Sequence, residues 1–203
     1  DRFSPARSLF RQQMAVLGRL FESVGQGGLT KGGPEVVFRC ALLAMLSAID
    51  NQEPNDDGAD MPSGSAFFPA QQPATALTDF ETAFDSLLQV RVGEAVTEID
   101  ELKPFARSTV MCYTENALSV FVQDGDLAYA LPSESGVDQG CPAAQILFGG
   151  SIVPLCRILQ QALLGTQASA RWIWDDCTIS GGAHDCVCVG FKTLHSHSER
   201  FGL

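Results

Sequence analysis

Trp172-Ile173-Trp174-Asp175-Asp176-Cys177-Thr178-Ile179 places two adjacent carboxylates between two runs of branched and aromatic residues. Such residues favour strands, so this stretch predicts a β-hairpin with the Asp pair at its tip. Neighbouring carboxylates repel each other unless a proton or a cation lies between them, and a hard divalent metal is the natural partner. Asp is also a common turn residue for purely local reasons, so a plain solvated turn is the alternative interpretation.

Two upstream stretches provide possible partners for the Asp pair. Residues 74–85, ATALTDFETAFD, form a short apolar strand that ends at Asp79 and is followed by a helical pattern. Residues 134–148, ESGVDQGCPAAQILF, form a Gly-rich loop that opens a helix. In this order and spacing, the three stretches resemble the palm motifs of reverse transcriptases, most closely those encoded by non-LTR retrotransposons. That family reads approximately D-F-x-N-A-F-N, G-V-x-Q-G-D-P-L-x-P-x-L-F and Y-x-D-D-G, and the resemblance extends from about Glu22 to Leu203.

The resemblance implies an RNA-directed DNA polymerase that adds nucleotides by a two-metal mechanism. In such a mechanism two metal ions activate the attacking sugar hydroxyl and neutralise the leaving pyrophosphate. Asp79, Asp175 and Asp176 would be the catalytic residues, and together with the backbone carbonyl of Phe80 they would be the metal ligands. We expect two Mg²⁺ ions, with Mn²⁺ as a possible substitute, because Mg²⁺ accepts few protein oxygens and takes the rest from water and phosphate.

The resemblance also assigns residues to the incoming nucleotide. Phe84 matches the position that closes over the sugar and favours deoxynucleotides, and the alternative is a core Phe at the start of a helix. Gln139 and Gly140 match the Q-G pair that contacts the nucleotide, whereas Gly136 and the residue after it are assigned to the turn. The expected partners are therefore an RNA or DNA template-primer and deoxynucleotides.

Two features favour a second interpretation, a degenerate non-catalytic palm-like domain that acts as a binding or structural module. The chain has 13 Lys and Arg against 24 Asp and Glu, a net charge of -11, whereas proteins that follow a phosphate backbone usually have a basic face. Four positions also depart from the family pattern without removing a metal ligand, namely Thr82, Cys141, Ile173 and Cys177.

The 203 residues and the 45% hydrophobic content indicate a globular protein with one domain, or with one large and one small lobe. Strands interleaved with helices indicate an α+β fold with helices packed on one face of a sheet. The resemblance implies that this sheet is an antiparallel, palm-like sheet, with partial helical fingers and without a thumb. The expected division is a partial fingers segment at 1–50, an acidic insertion or linker rich in Pro, Gly and Ser at 51–73, and the palm at 74–203. Thumb and endonuclease domains would belong to a longer polyprotein.

The sequence shows no apolar run of membrane-spanning length and no signal peptide, so we expect an intracellular protein without a membrane partner, in the nucleus or the cytoplasm. The seven cysteines are an odd number and follow helices and strands, which favours reduced thiols.

A zinc site is the one alternative metal site, formed by His184, Cys186, Cys188, His195 and His197. Its C-x-C and H-x-H spacings are unusual for zinc, and a partly buried helix is the alternative.

Overall fold

A computed structural model of the protein describes residues 4–26, 73–113, 118–138, 141 and 143–203. In chain order, the elements are α1 (Ser4–Ser23), β1 (Pro73–Thr78), α2 (Ala83–Ser86), α3 (Gln89–Glu98), a 3₁₀ helix (Asp100–Phe105), α4 (Ala106–Cys112), β2 (Leu118–Gln123), β3 (Asp126–Pro132), α5 (Ala144–Leu163), β4 (Ser169–Ile173), β5 (Asp176–Gly182), a π-helix (Asp185–Phe191), α6 (Lys192–Ser198) and a 3₁₀ helix (Glu199–Phe201). The expected insertion at 51–73 lies outside the described residues except for Pro73.

The larger sheet is antiparallel and has the strand order β1–β5–β4. β1 pairs with β5 along its whole length, from Pro73 opposite Gly182 to Thr78 opposite Cys177. Side chains alternate between the two faces of a sheet, and the core-facing Cys177 and its β4 partner Trp172 are 1% and 0% exposed. The central strand therefore has one face in the core, and its alternate residues, beginning with Asp176, lie on the opposite face.

Helix α5 forms the centre of the hydrophobic core. Phe148, Ile152, Leu155 and Leu159 are all fully buried, and their spacing of three and four residues places them on one face of the helix. By length and composition α5 could cross a membrane, which contradicts our expectation that no apolar run is long enough. Packing explains its apolar character, because 67% of that apolar window is buried inside the protein.

The second sheet is the hairpin of β2 and β3, which the Asp-Gly turn predicts. Asp124 and Gly125 have φ angles of 54° and 90°, the left-handed conformation that a tight two-residue turn between strands requires. Among the described residues, β2 and β3 pair with each other alone, and every residue of β3 is exposed.

The apolar spacing over residues 84–99 predicts one helix, but the structure interrupts it at Leu87 and Leu88, which separate α2 from α3. The backbone groups of these two residues bond to distant segments. The Leu88 N–H donates to the Phe201 carbonyl at 2.9 Å, and the Leu87 carbonyl accepts from the Gly136 N–H at 2.7 Å. At these two residues, hydrogen bonds to distant segments take the place of helical hydrogen bonds. The spacing of apolar residues in the sequence does not indicate this change.

The sequence also predicts a last helix over residues 183–197, and the structure has a helix there whose middle is the π-helix. Such segments are rare and insert an extra residue into a helical turn. A Cβ atom at Gly190 would lie 3.0 Å from the Ile179 side chain, so the glycine allows the helix to pack closely on β5. Together, these elements confirm the predicted α+β class with an antiparallel sheet and helices.

Candidate active site

The acidic hairpin is present, with one change from the prediction. The two turn residues are Trp174 and Asp175, while Asp176 is the first residue of β5 and pairs with Ile173. The Asp pair therefore does not sit symmetrically at the tip. Trp174 has a φ of 54°, a left-handed conformation that is unusual for a bulky residue.

Asp79 lies at the end of the neighbouring strand. Thr78 is the last residue of β1 and pairs with Cys177, so continuation of this register brings the next residue, Asp79, beside Asp176. The Thr78 hydroxyl donates a hydrogen bond to the Cys177 carbonyl at 3.1 Å and fixes the end of β1 against β5. Strand alternation places Asp79 and Asp176 on the face opposite the core. Carboxylates nearly one hundred residues apart in sequence are thus brought to the same edge of the sheet.

The charges of these carboxylates act on each other. Desolvation, with the negative charges of Asp175 and Asp79, raises the pKa of the Asp176 carboxyl above its ordinary value. Asp176 is exposed as a residue, so its desolvation is incomplete. The two neighbouring charges add to this effect of burial, and a cation would relieve their repulsion.

The donor atoms of this edge suit Mg²⁺ in type but do not form a complete cage. Within the described ranges, no group of three or more His, Cys, Asp or Glu side chains is arranged to hold a metal ion. Mg²⁺ needs only one or two protein carboxylates, since water and substrate phosphates fill its other positions. The Phe80 carbonyl already accepts a hydrogen bond from the Ala83 N–H at 3.3 Å, and a carbonyl has a second lone pair for another partner.

Phe84 lies between the core and the Gly-rich loop. Its ring stacks on Phe148 with centroids 4.3 Å apart, and its carbonyl accepts a hydrogen bond from the Val137 N–H at 2.8 Å. Gly136 has a φ of 84°, and a Cβ atom there would lie 2.9 Å from the Asp85 carbonyl oxygen, so this position of the turn requires glycine. Gln139 and Gly140, the predicted nucleotide contacts, lie outside the described residues.

A cavity of about 350 Å³ lies next to Asp79, a feature that the sequence did not indicate. Its lining includes the end of β1, from Leu77 to Phe80, and Phe191, Leu194 and His195 of the last helical region. The cavity borders the acidic edge because the π-helix packs on β1, where the Cys186 thiol bonds to the Ala74 carbonyl.

Sequence reasoning also missed Gln26, which contacts the acidic turn from the end of α1. This side chain is 1% exposed, and its amide hydrogen-bonds to the backbone of Trp174. The one available signal was a polar residue among glycines, Gly25-Gln26-Gly27-Gly28, which is equally typical of any loop.

The alternative zinc site is not assembled among the residues that the structure describes. Cys186 is buried and its thiol bonds to the Ala74 carbonyl, whereas Cys188 is exposed. His184 instead lies beside Asp185, at 3.5 Å. The six cysteines in the described part of the chain, all except Cys40, are free thiols.

Comparison with solved structures shows a similarity of the fold to a telomerase. A structure of apo telomerase from Candida tropicalis, truncated from the C-terminal domain, is similar to this chain with a TM-score of 0.55 and 13% sequence identity. The similarity covers 98% of this chain and 38% of the telomerase chain, so the chain spans well under half of that protein's length. No protein-family model and no curated protein matches the sequence. At this identity the likeness shows the fold alone, an α+β fold that this chain shares with part of that telomerase.

Proposed function

We propose that this chain is the fingers-to-palm portion of a reverse transcriptase of non-LTR retrotransposon type. It would extend an RNA or DNA template-primer with deoxynucleotides. One observation carries the proposal, namely the placement of Asp79, at the end of β1, beside the acidic turn of the adjacent strand. The similarity of the fold to telomerase, a reverse-transcriptase-related polymerase, supports the same class of protein.

Asp79, Asp175 and Asp176 are the proposed holders of two Mg²⁺ ions, with the Phe80 carbonyl as a further oxygen ligand. When bound, the ions would supply Lewis-acid activation of the attacking hydroxyl and neutralise charge on the leaving pyrophosphate. The chain's own contribution is to hold the carboxylates at the ends of two hydrogen-bonded strands, where the pairing of β1 with β5 brings Asp79 beside Asp176. Like-charge repulsion in the free protein then favours cation binding.

Phe84 is the proposed contact for the sugar of the incoming nucleotide. Its ring is only partly buried, since one face stacks on Phe148 while the residue keeps an intermediate exposure. The same ring can thus belong to the core and border the substrate, and the two interpretations from the sequence are compatible. Its backbone bond to Val137 also ties it to the loop that leads to Gln139 and Gly140, the proposed nucleotide contacts.

The second candidate function is a non-catalytic palm-like module. The net charge of -11 favours it, because neutralisation of phosphates by Lys and Arg supplies most of the affinity for nucleic acid. The two candidates share a fold and differ in whether the chain binds metal and extends a primer.

Primer extension by the 203-residue chain tests the proposal. The assay uses a primed RNA or DNA template, deoxynucleotides and Mg²⁺ at low salt, where a weak electrostatic grip is least screened. The test variant is Asp175→Asn with Asp176→Asn, and the matched control is Asp124→Asn with Asp126→Asn, the same change in the acidic turn of the other hairpin.

We expect extension by the unmodified chain and by the control, and loss of extension in the test variant. Stabilisation by Mg²⁺ without any extension would support the metal site and exclude this chain as a self-sufficient polymerase. If neither extension nor stabilisation by metal occurs, the non-catalytic module is the correct interpretation.

A further inference from the structure

The end of α1 holds the acidic turn through a buried amide. Gln26 Nε2 donates to the Trp174 carbonyl at 3.1 Å, and the Trp174 N–H donates to Gln26 Oε1 at 2.8 Å. Both ends of one side-chain amide therefore bond both backbone groups of one turn residue. Because Gln26 is 1% exposed, water cannot readily replace these bonds, and loss of either partner would leave a buried polar group unsatisfied.

Trp174 is the residue of the turn that most needs such support. Two-residue hairpin turns favour Gly, Asn or Asp where φ is positive, and here a tryptophan has a φ of 54°. A bulky residue in this conformation costs about 1–2 kcal/mol and persists only where its surroundings impose it. The peptide unit after Trp174 leads directly into Asp175, so the orientation of that peptide determines where the first carboxylate of the pair lies.

The surroundings of the Trp174 ring fix it in the same way. Phe21, also on α1, meets the ring edge-on with centroids 6.2 Å apart. A Cβ atom at Gly149 of α5 would lie 3.1 Å from both the Trp174 and the Phe21 rings, so the absence of a side chain there allows all three to pack. The ring and the backbone of Trp174 are thus held by the same helix end.

The segment that carries Gln26 is itself built against β4. The Trp172 N–H donates to the Gly25 carbonyl at 2.9 Å, and Gln26 forms a parallel bridge with Trp172. Gly25 has a φ of 75°, and a Cβ atom there would lie 3.0 Å from the Ala170 carbonyl oxygen. The chain therefore changes direction at Gly25 and places the Gln26 side chain against the hairpin turn at Trp174.

We propose that Gln26 is a positioning residue for the acidic turn, which keeps Trp174 in its left-handed conformation so that Asp175 and Asp176 present their carboxylates to a divalent cation beside Asp79. This inference rests on the proposed metal-dependent function. Residues that orient metal ligands typically change metal affinity by about 10–100-fold when they are substituted.

Mn²⁺ affinity of the apo 203-residue chain tests this role, measured from the electron paramagnetic resonance signal of the free ion. The test variant is Gln26→Met, which keeps the length of the side chain and removes both hydrogen bonds. The matched control is Gln89→Met, since Gln89 is 8% exposed and its amide bonds Ser133, Ser135 and Gly136, away from the turn. We expect the Kd of Gln26→Met to rise about tenfold and that of the control to stay within about twofold, at a temperature where both are folded.

Hydrogen exchange of the Trp174 amide gives a second readout that needs no variant. The amide should exchange slowly, and saturating Mg²⁺ should slow it further, because linkage requires the metal to favour the turn conformation that favours the metal. Rapid exchange, or exchange unaffected by bound Mg²⁺, would overturn the positioning role even if Gln26→Met fails to fold.

The outcomes separate this inference from the function on which it rests. Tight Mn²⁺ binding by both the unmodified chain and Gln26→Met would refute the role of Gln26 but would support the metal site. Absence of Mn²⁺ binding by the unmodified chain would overturn the metal site and, with it, the positioning role.

Discussion

Replacement of Asp176 by Asn should stabilise the metal-free protein. The substitution removes one negative charge that lies beside two others, Asp175 and Asp79, and keeps the size of the side chain. A charge pair at an exposed site is worth about 0.2–1 kcal/mol, so relief from two neighbours amounts to about 1 kcal/mol. For a chain of 203 residues this corresponds to a rise of about 2–4 °C in Tm.

The stability gained by Asp176→Asn should be larger at neutral pH than in acid. The folded protein raises the pKa of Asp176 above its ordinary value of 3.8, so the native state binds this proton more readily than the unfolded state does. Stability from this group is therefore lost as the pH rises from below 3.8 through the folded pKa, and the loss is complete above it. The Asn variant avoids that loss, so its advantage should be full at neutral pH and should shrink as the solution is acidified towards about pH 4.

Thermal unfolding followed by circular dichroism, with a chelator present, measures this difference. Asp126→Asn in the other hairpin is the control, because it makes the same substitution in an exposed turn region. Added Mg²⁺ should then raise the Tm of the unmodified protein more than that of Asp176→Asn, since the proposed site would bind the cation through the charge that the variant lacks. A lower Tm for the variant at neutral pH, or an advantage that grows on acidification, would refute the reasoning.

Three further predictions concern packing and thiol chemistry. Gly150→Ala should cost about 1–3 kcal/mol of unfolding free energy in urea titrations because its Cβ atom would collide with Leu102, whereas Gly93→Ala, with no atom within 4 Å, should gain about 0.5–1 kcal/mol. Phe84→Ala should lower the unfolding free energy by about 2 kcal/mol in the same titrations, because it removes a stacked and partly buried ring. An unchanged midpoint would show that this ring does not contribute to the core. Iodoacetamide at mildly alkaline pH should label exposed Cys188 far faster than Cys186, whose pKa burial raises to about 11, and mass spectrometry of the peptides would show equal labelling if this is wrong.

The sequence predicts the elements around the site better than the connections between them. The acidic hairpin, the strand that ends at Asp79 and the long apolar helix α5 all carry local signals, namely branched residues, turn residues and helical spacing. Those signals depend on neighbours within a few residues. The class of the fold follows from the order of these elements, and the structure confirms it.

The features that the sequence does not reveal are made by contacts between distant residues. At the interruption the Leu88 N–H bonds to the Phe201 carbonyl, and in the π-helix Gly190 packs closely against Ile179. Gln26 lies 148 residues from Trp174, its partner in the turn. No local pattern marks either member of such a pair, because each contact joins residues that lie too far apart in the sequence for a local pattern to include both.

The pairing of β1 with β5 also determines when the site can form during protein synthesis. Thr78 and Cys177, which close the paired strands, are 99 residues apart, and ribosomes add about 5–20 residues per second. For roughly 5–20 s, the nascent chain therefore exposes β1, with its apolar residues, before the central strand of its sheet has been made. A strand with an unpaired edge is a template for aggregation, so chaperone binding to this segment is expected to determine the yield of folded protein. The carboxylates of the proposed site would come together only after that interval.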